Sequence, residues 1–121
     1  MNADVIDREA IERIRALQRQ GAPSVLAKII NLYLDKSPEL VTEIRSAAQA
    51  ADAEKLRNSA HSLKSSSANV GATKVTELCR ELEQKGREGN LTEAIARVDV
   101  LEYEFGQAST ALLQLVSQQA A

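Results

Sequence analysis

The chain has one histidine, His61, which stands in the run Ala60-His61-Ser62-Leu63-Lys64-Ser65-Ser66-Ser67. At about 100° per residue, Leu56, Ala60, Leu63, Ser67 and Val70 fall within roughly 40° of one direction and make a buried stripe. His61 lies about 140° from the centre of that stripe, with Arg57, Lys64 and Ala68 near it and Ser65 one turn further on. This wheel turns the imidazole toward water. Neutral imidazole keeps a free lone pair and is a good nucleophile near pH 7. Its attack on a phosphoryl group gives a phosphoramidate, reactive enough to hand the group on to a carboxylate. Such a transfer depends on alignment and neutralised oxygens more than on acid–base machinery. Lys64 is placed to offer its ammonium to phosphoryl oxygens as a mobile point charge, and Arg57 is a weaker candidate for the same role. Ser65 and Ala68 leave little bulk in the path of an incoming protein.

Other chemistries fit these residues less well. The serines beside His61 lie along one helix, where a nucleophile, a base and its orienting group do not converge. There is also no Gly-x-Ser-x-Gly elbow. Ser67 belongs to the inward stripe and reads as a small packing residue. A zinc site is not expected, because the single histidine points outward and the single cysteine, Cys79, points inward on another helix. Nothing in the chain reads as a Mg²⁺ ligand set or as a glycine-rich nucleotide loop. The domain is therefore expected neither to bind ATP nor to phosphorylate itself.

Positioning His61 requires helices, and the composition supplies them. The 121 residues are 44% hydrophobic, mostly Ala, Leu, Ile and Val, with 2% aromatics and only 2 Pro. That profile suits a single domain folded as a helical bundle, spanning residues 1–121. Asp7 reads as an N-cap with Ile6 and Ile11 as a hydrophobic staple, followed by an apolar edge of Ile11, Ile14 and Leu17, a polar interruption at Gln18 one turn after Ile14, and a stop at Gly21. A second helix runs from about Ser24 to Ala50, with a kink or brief break expected near Ser37 because Pro38 removes a backbone donor. Asp52 caps the third helix, which carries His61 and ends near Gly71. The fourth places Val75, Leu78, Cys79 and Leu82 inward and ends around Gly86 to Gly89. Asn90 and Glu93 read as the capping box of the fifth, whose seam is Ala94, Val98, Leu101, Phe105, Ala108, Leu112 and Leu115. Short connections make neighbours antiparallel. The expected fold is all-α, an antiparallel four-helix bundle with an additional short N-terminal helix.

Fifteen Lys and Arg against 17 Asp and Glu give a formal net charge of −2. No basic surplus or aromatic platform points to nucleic acid. The apolar runs are too short for a membrane span, and Met1-Asn2-Ala3-Asp4 lacks a signal-peptide core. A lone cysteine fits a reducing, cytoplasmic setting.

The segment from Ala60 to Ala72, followed by Leu78-Cys79, Leu82-Glu83 and Gly86-Arg87, resembles a histidine-containing phosphotransfer (HPt) domain of multistep phosphorelays. The specific motif is confined to residues 60–87, while the helix order extends the likeness over most of the chain. The resemblance implies a phosphorelay intermediate in which His61, at Nε2, accepts a phosphoryl group from a receiver aspartate and returns it to another. Lys64 matches the family's lysine and would give electrostatic support. Ser65 stands where glycine is commonest, a departure that leaves docking possible and bears on access and phosphohistidine lifetime. The implied partners are receiver domains of a hybrid histidine kinase and of a response regulator. They would dock on the face holding Arg57, Ser65 and Ala68 and supply the Mg²⁺ from their own site. The domain is expected to be a monomer without direct membrane contact, either free or as the cytoplasmic module of an inner-membrane sensor kinase. An adaptor bundle that binds a signalling protein without covalent chemistry fits the composition and seams equally well, and phosphorylation of His61 separates the two.

Overall fold

A computed structural model describes residues 5–120, with side chains described through Gln118. The expectation drawn from Met1-Asn2-Ala3-Asp4 lies outside the described residues. Five helices follow in order: α1 (Arg8–Arg15), α2 (Val25–Gln49), α3 (Ala53–Asn69), α4 (Thr73–Glu88) and α5 (Ala94–Ala120). Helix α2 packs on α3, α3 on α4, α4 on α5 and α5 back on α2, which closes a four-membered ring with α1 set against α2. The connections within the ring are short, so successive helices run antiparallel. The interior is aliphatic and fully enclosed around Leu26, Ile30, Ile44, Leu56, Leu63, Leu82, Leu101 and Leu112.

The α3 stripe is buried as its spacing requires: Leu56, Ala60, Leu63 and Ser67 are closed to solvent. Ser67 does more than fill space, because its hydroxyl lies 2.7 Å from the buried Tyr33 hydroxyl across the α2–α3 interface. Tyr33 also meets the Phe105 ring at 5.9 Å in a tilted arrangement, joining α5 to the same layer. Cys79 is wholly enclosed, and burial pushes its thiol up to about 12.

Caps set the helix boundaries. The Asp52 carboxylate accepts from the Lys55 N–H at 3.1 Å and starts α3. Its end is a Schellman turn, in which Gly71 takes φ +77° while the Gly71 and Ala72 N–H groups donate to Ala68 and Ser67 carbonyls. A Cβ at Gly71 would sit 2.8 Å from the Asp7 carbonyl oxygen, since the chain entering α1 lies directly on this corner. There the Asp7 N–H donates to the Gly71 carbonyl at 2.7 Å.

Three local expectations are corrected. Helix α1 stops at Arg15, well before Gly21, and Leu17 is 65% exposed instead of joining the apolar edge. The reason is Gln18, whose side-chain amide donates to the Arg19, Ala22 and Pro23 carbonyls and accepts from the Val25 N–H, so it knits a loop. Of the kink or break expected near Ser37, the break does not occur: α2 is continuous helix through Pro38, where buried Ser37 and Val41 hold it in the core. One missing hydrogen bond is outweighed by that packing. The capping box at Asn90 and Glu93 does not form. Asn90 accepts from the Thr92 N–H at 3.2 Å and caps a turn, and α5 begins only at Ala94.

Candidate functional site

His61 projects from the middle of α3 with its side chain 60% exposed, as the wheel requires. Beneath it lies a carboxylate that sequence reasoning left without a role. Glu83 of α4 is 6% exposed in its side chain, and its Oε2 stands 3.0 Å from His61 Nδ1. Lys64 Nζ lies 2.6 Å from Glu83 Oε1, and an Arg87 guanidinium nitrogen donates to Oε2 at 3.1 Å. Three side chains thus converge on one carboxylate.

The reach across the two helices depends on Gly86. A Cβ there would approach the Ala53 carbonyl at 2.8 Å and the Arg57 N–H nitrogen at 2.9 Å. Any larger residue would force α4 away from α3 and lift Glu83 and Arg87 from the histidine. Glycine inside a helix costs about 1 kcal/mol relative to alanine. Here that cost is exchanged for a close helix approach.

Electrostatics sets the protonation pattern. Burial works to raise the Glu83 carboxyl, but hydrogen bonds and charges from Lys64 and His61 outweigh it and hold the group below the usual carboxylate range. Glu83 is therefore an acceptor at neutral pH. An ionised acceptor at Nδ1 keeps the ring proton on Nδ1, which leaves the Nε2 lone pair directed away from the carboxylate.

The remaining sequence-derived residues gather around the histidine. Arg57, Ser65 and Ala68 are all exposed. Arg57 shares with Asn58, His61, Ser62, Glu83 and Arg87 a shallow depression of about 370 Å³. Lys64 differs from expectation: its side chain is only 25% exposed and is paired with Glu83. For Glu83 and Arg87 the sequence offers only an i, i+4 pair beside the inward Cys79 and Leu82, which does not by itself mark a site. Among the described residues, no three His, Cys, Asp or Glu side chains are grouped to hold a metal ion. No helix among them is long and apolar enough to cross a membrane.

Fold and site together define a helical bundle built around one surface histidine, supported from the neighbouring helix. The chain belongs to the Hpt domain family, which it matches over residues 28–119. Histidine-containing phosphotransfer protein 2 of Oryza sativa subsp. japonica is 30% identical over 118 residues, covering 91% of this chain and 78% of the relative. Histidine-containing phosphotransfer protein 5 of Arabidopsis thaliana is 28% identical, covering 84% and 67%. The crystal structure of histidine-containing phosphotransfer protein B from Pseudomonas aeruginosa PAO1 superimposes with a TM-score of 0.87 at 28% identity, over 96% of this chain and 97% of that one. The maize protein ZmHP2 gives 0.83 at 27% identity, over 100% and 91%. The chain is accordingly a phosphorelay intermediate of two-component signalling. Members of this family are phosphotransfer carriers that work with receiver domains.

Proposed function

We propose that His61 is the phosphoryl carrier, taking the group at Nε2 from an aspartyl phosphate of one receiver domain and giving it to the aspartate of another. The observation that carries this reading is the 3.0 Å contact between Nδ1 and the Glu83 carboxylate. In the forward step the Nε2 lone pair forms the N–P bond while the aspartyl P–O bond breaks and its electron pair returns to the carboxylate. The ring keeps its Nδ1 proton and becomes a phosphoimidazolium, whose positive charge faces ionised Glu83. The return step reverses each movement, and no external base is consumed.

The incoming receiver meets small or flexible residues: Ser65 and Ala68 one and two turns beyond His61, with Arg57 on the other side. Next to them an apolar groove of about 390 Å³ opens between α2 and α3, lined by Ile29, Leu32, Lys36, Ser66 and Asn69 among others. Leu32 is 59% exposed there. This face suits a short-lived contact of modest area. The Mg²⁺ of the transfer belongs to the receiver's site, and the domain acts as a cytoplasmic monomer without kinase activity of its own. Its partners in this reading are the receiver of a hybrid histidine kinase and that of a response regulator.

The test is transfer from a labelled, autophosphorylated hybrid kinase to this domain and to His61→Gln. Label on the wild type alone, lost in acid and stable in alkali, is the expected result. The variant should melt within about 0.5 kcal/mol of the wild type, as an exposed position predicts. No labelling across competent receivers would favour the adaptor bundle.

A further inference from the structure

Three cationic side chains surround His61, and two of them are already engaged. Lys64 Nζ is 2.6 Å from Glu83 Oε1. Arg87 donates to Glu83 Oε2 at 3.1 Å and reaches the Gln84 side-chain oxygen at 3.4 Å. The Arg57 side chain is exposed and makes no hydrogen bond or ion pair among the described residues. It also lines the same depression as His61.

Helix geometry makes Arg57 and His61 neighbours on one face of α3. Arg57 stands at i−4 to His61, so the two Cβ atoms are about 5–6 Å apart. Helical side chains lean toward the N-terminus, which carries the imidazole over the turn where Arg57 begins. The root of Arg57 is fixed as well: its Cβ lies 3.0 Å from where a Cβ on Gly86 would be, so α4 holds that side of the stem. A planar fork of donors on a flexible stem thus opens into the depression that His61 lines, with nothing to bind in the resting protein.

We propose that Arg57 grips the phosphoryl oxygens on His61, and that Lys64 stays paired with Glu83 beneath the ring. This rests on His61 being the carrier. It reverses the expected ranking of Lys64 and Arg57, and it moves Arg57 from partner contact to direct contact with the transferred group.

The experiment uses phosphoramidate, a small phosphodonor that needs no protein docking, with ³¹P NMR to follow the phosphohistidine signal. Arg57→Ala is expected to slow its appearance about fivefold, near the upper end for an exposed charge pair. It should also shift the ³¹P resonance of the phosphorylated domain. Arg57→Lys should recover the rate to within about twofold, since the charge remains. Arg13→Ala, on α1, removes a charge remote from the site and should match the wild type. An Arg57→Ala domain with wild-type rate and ³¹P shift would overturn the proposal, leaving Arg57 a docking residue only. A wild type labelled neither by phosphoramidate nor by receivers would overturn the carrier reading of His61 and this proposal with it.

Discussion

The bundle carries charge clusters on two opposite edges, and their stoichiometries are inverted. At the α2–α5 edge one cation, Arg45, meets two carboxylates, Asp99 and Glu102, and both acids are substantially exposed. At the α3–α4 edge one buried carboxylate, Glu83, meets Lys64, Arg87 and the His61 ring. The first arrangement staples two helices in contact with solvent, where Coulomb energy is screened and small. The second leaves two permanent cations against one anion beneath His61, the proposed carrier. A surplus of positive charge is of little use to folding, but it suits the arrival of a doubly charged phosphoryl group. The same kinds of side chain thus staple helices at one edge and, in the proposed reading, serve chemistry at the other, and burial of the carboxylate makes the difference.

Glu83→Gln is the change that should break this contrast most. A neutral amide no longer balances two cations or fixes the ring tautomer. The expected loss is about 1.5–3 kcal/mol in stability, the range for a hydrogen bond to a charged group, with roughly a tenfold slower transfer. Acid should report the same group. Because the Glu83 carboxyl is lower in the folded than in the unfolded chain, its contribution is full above the ordinary value of 4.5 and is lost as pH falls through the folded value. Denaturant melts between pH 5 and 2 should therefore fall more steeply for wild type than for Glu83→Gln; parallel curves would remove Glu83 from the acid response. Lys64→Ala should slow transfer without abolishing it, by severalfold, because Arg87 still covers the carboxylate; an unchanged rate in a stopped-flow assay would show Lys64 to be dispensable. The smallest effect belongs to the other edge. Arg45→Ala should cost less than about 1 kcal/mol, shrink further in high salt and leave transfer untouched. A slower transfer there would mean that the two edges communicate.

The ring of helices was legible because its signals are local and redundant. Asp52 and Gly71 bracket α3, and the seam from Ala94 to Leu115 repeats in steps of three and four. His61 was legible for the same reason, as a wheel position opposite Leu56 and Leu63. Glu83 was not. In the polar run Glu81-Leu82-Glu83-Gln84-Lys85 a glutamate reads as a solvated charge, and only the approach of α3 at Gly86 encloses it. Long-range proximity of that kind has no local pattern. Gln18 and Asn90 stood out in the sequence, but the bonds they make did not: side-chain amides that bond to backbone within a few residues end or delay helices that periodicity alone would extend. Pro38 shows the opposite imbalance, since core packing on both sides carried the helix past a strong breaker.

Cys79 has a practical consequence. Its thiol is enclosed between α4 and the core and pushed up to about 12, so in the native bundle it offers neither access nor thiolate to an alkylating reagent. Every modification event must then wait for the helices to part. The chain contains its own opening clock, one sulfur atom whose labelling rate counts excursions from the closed bundle with no added probe. Run on the free and the phosphorylated domain, that clock would measure whether carrying a phosphoryl group alters how often the scaffold breathes.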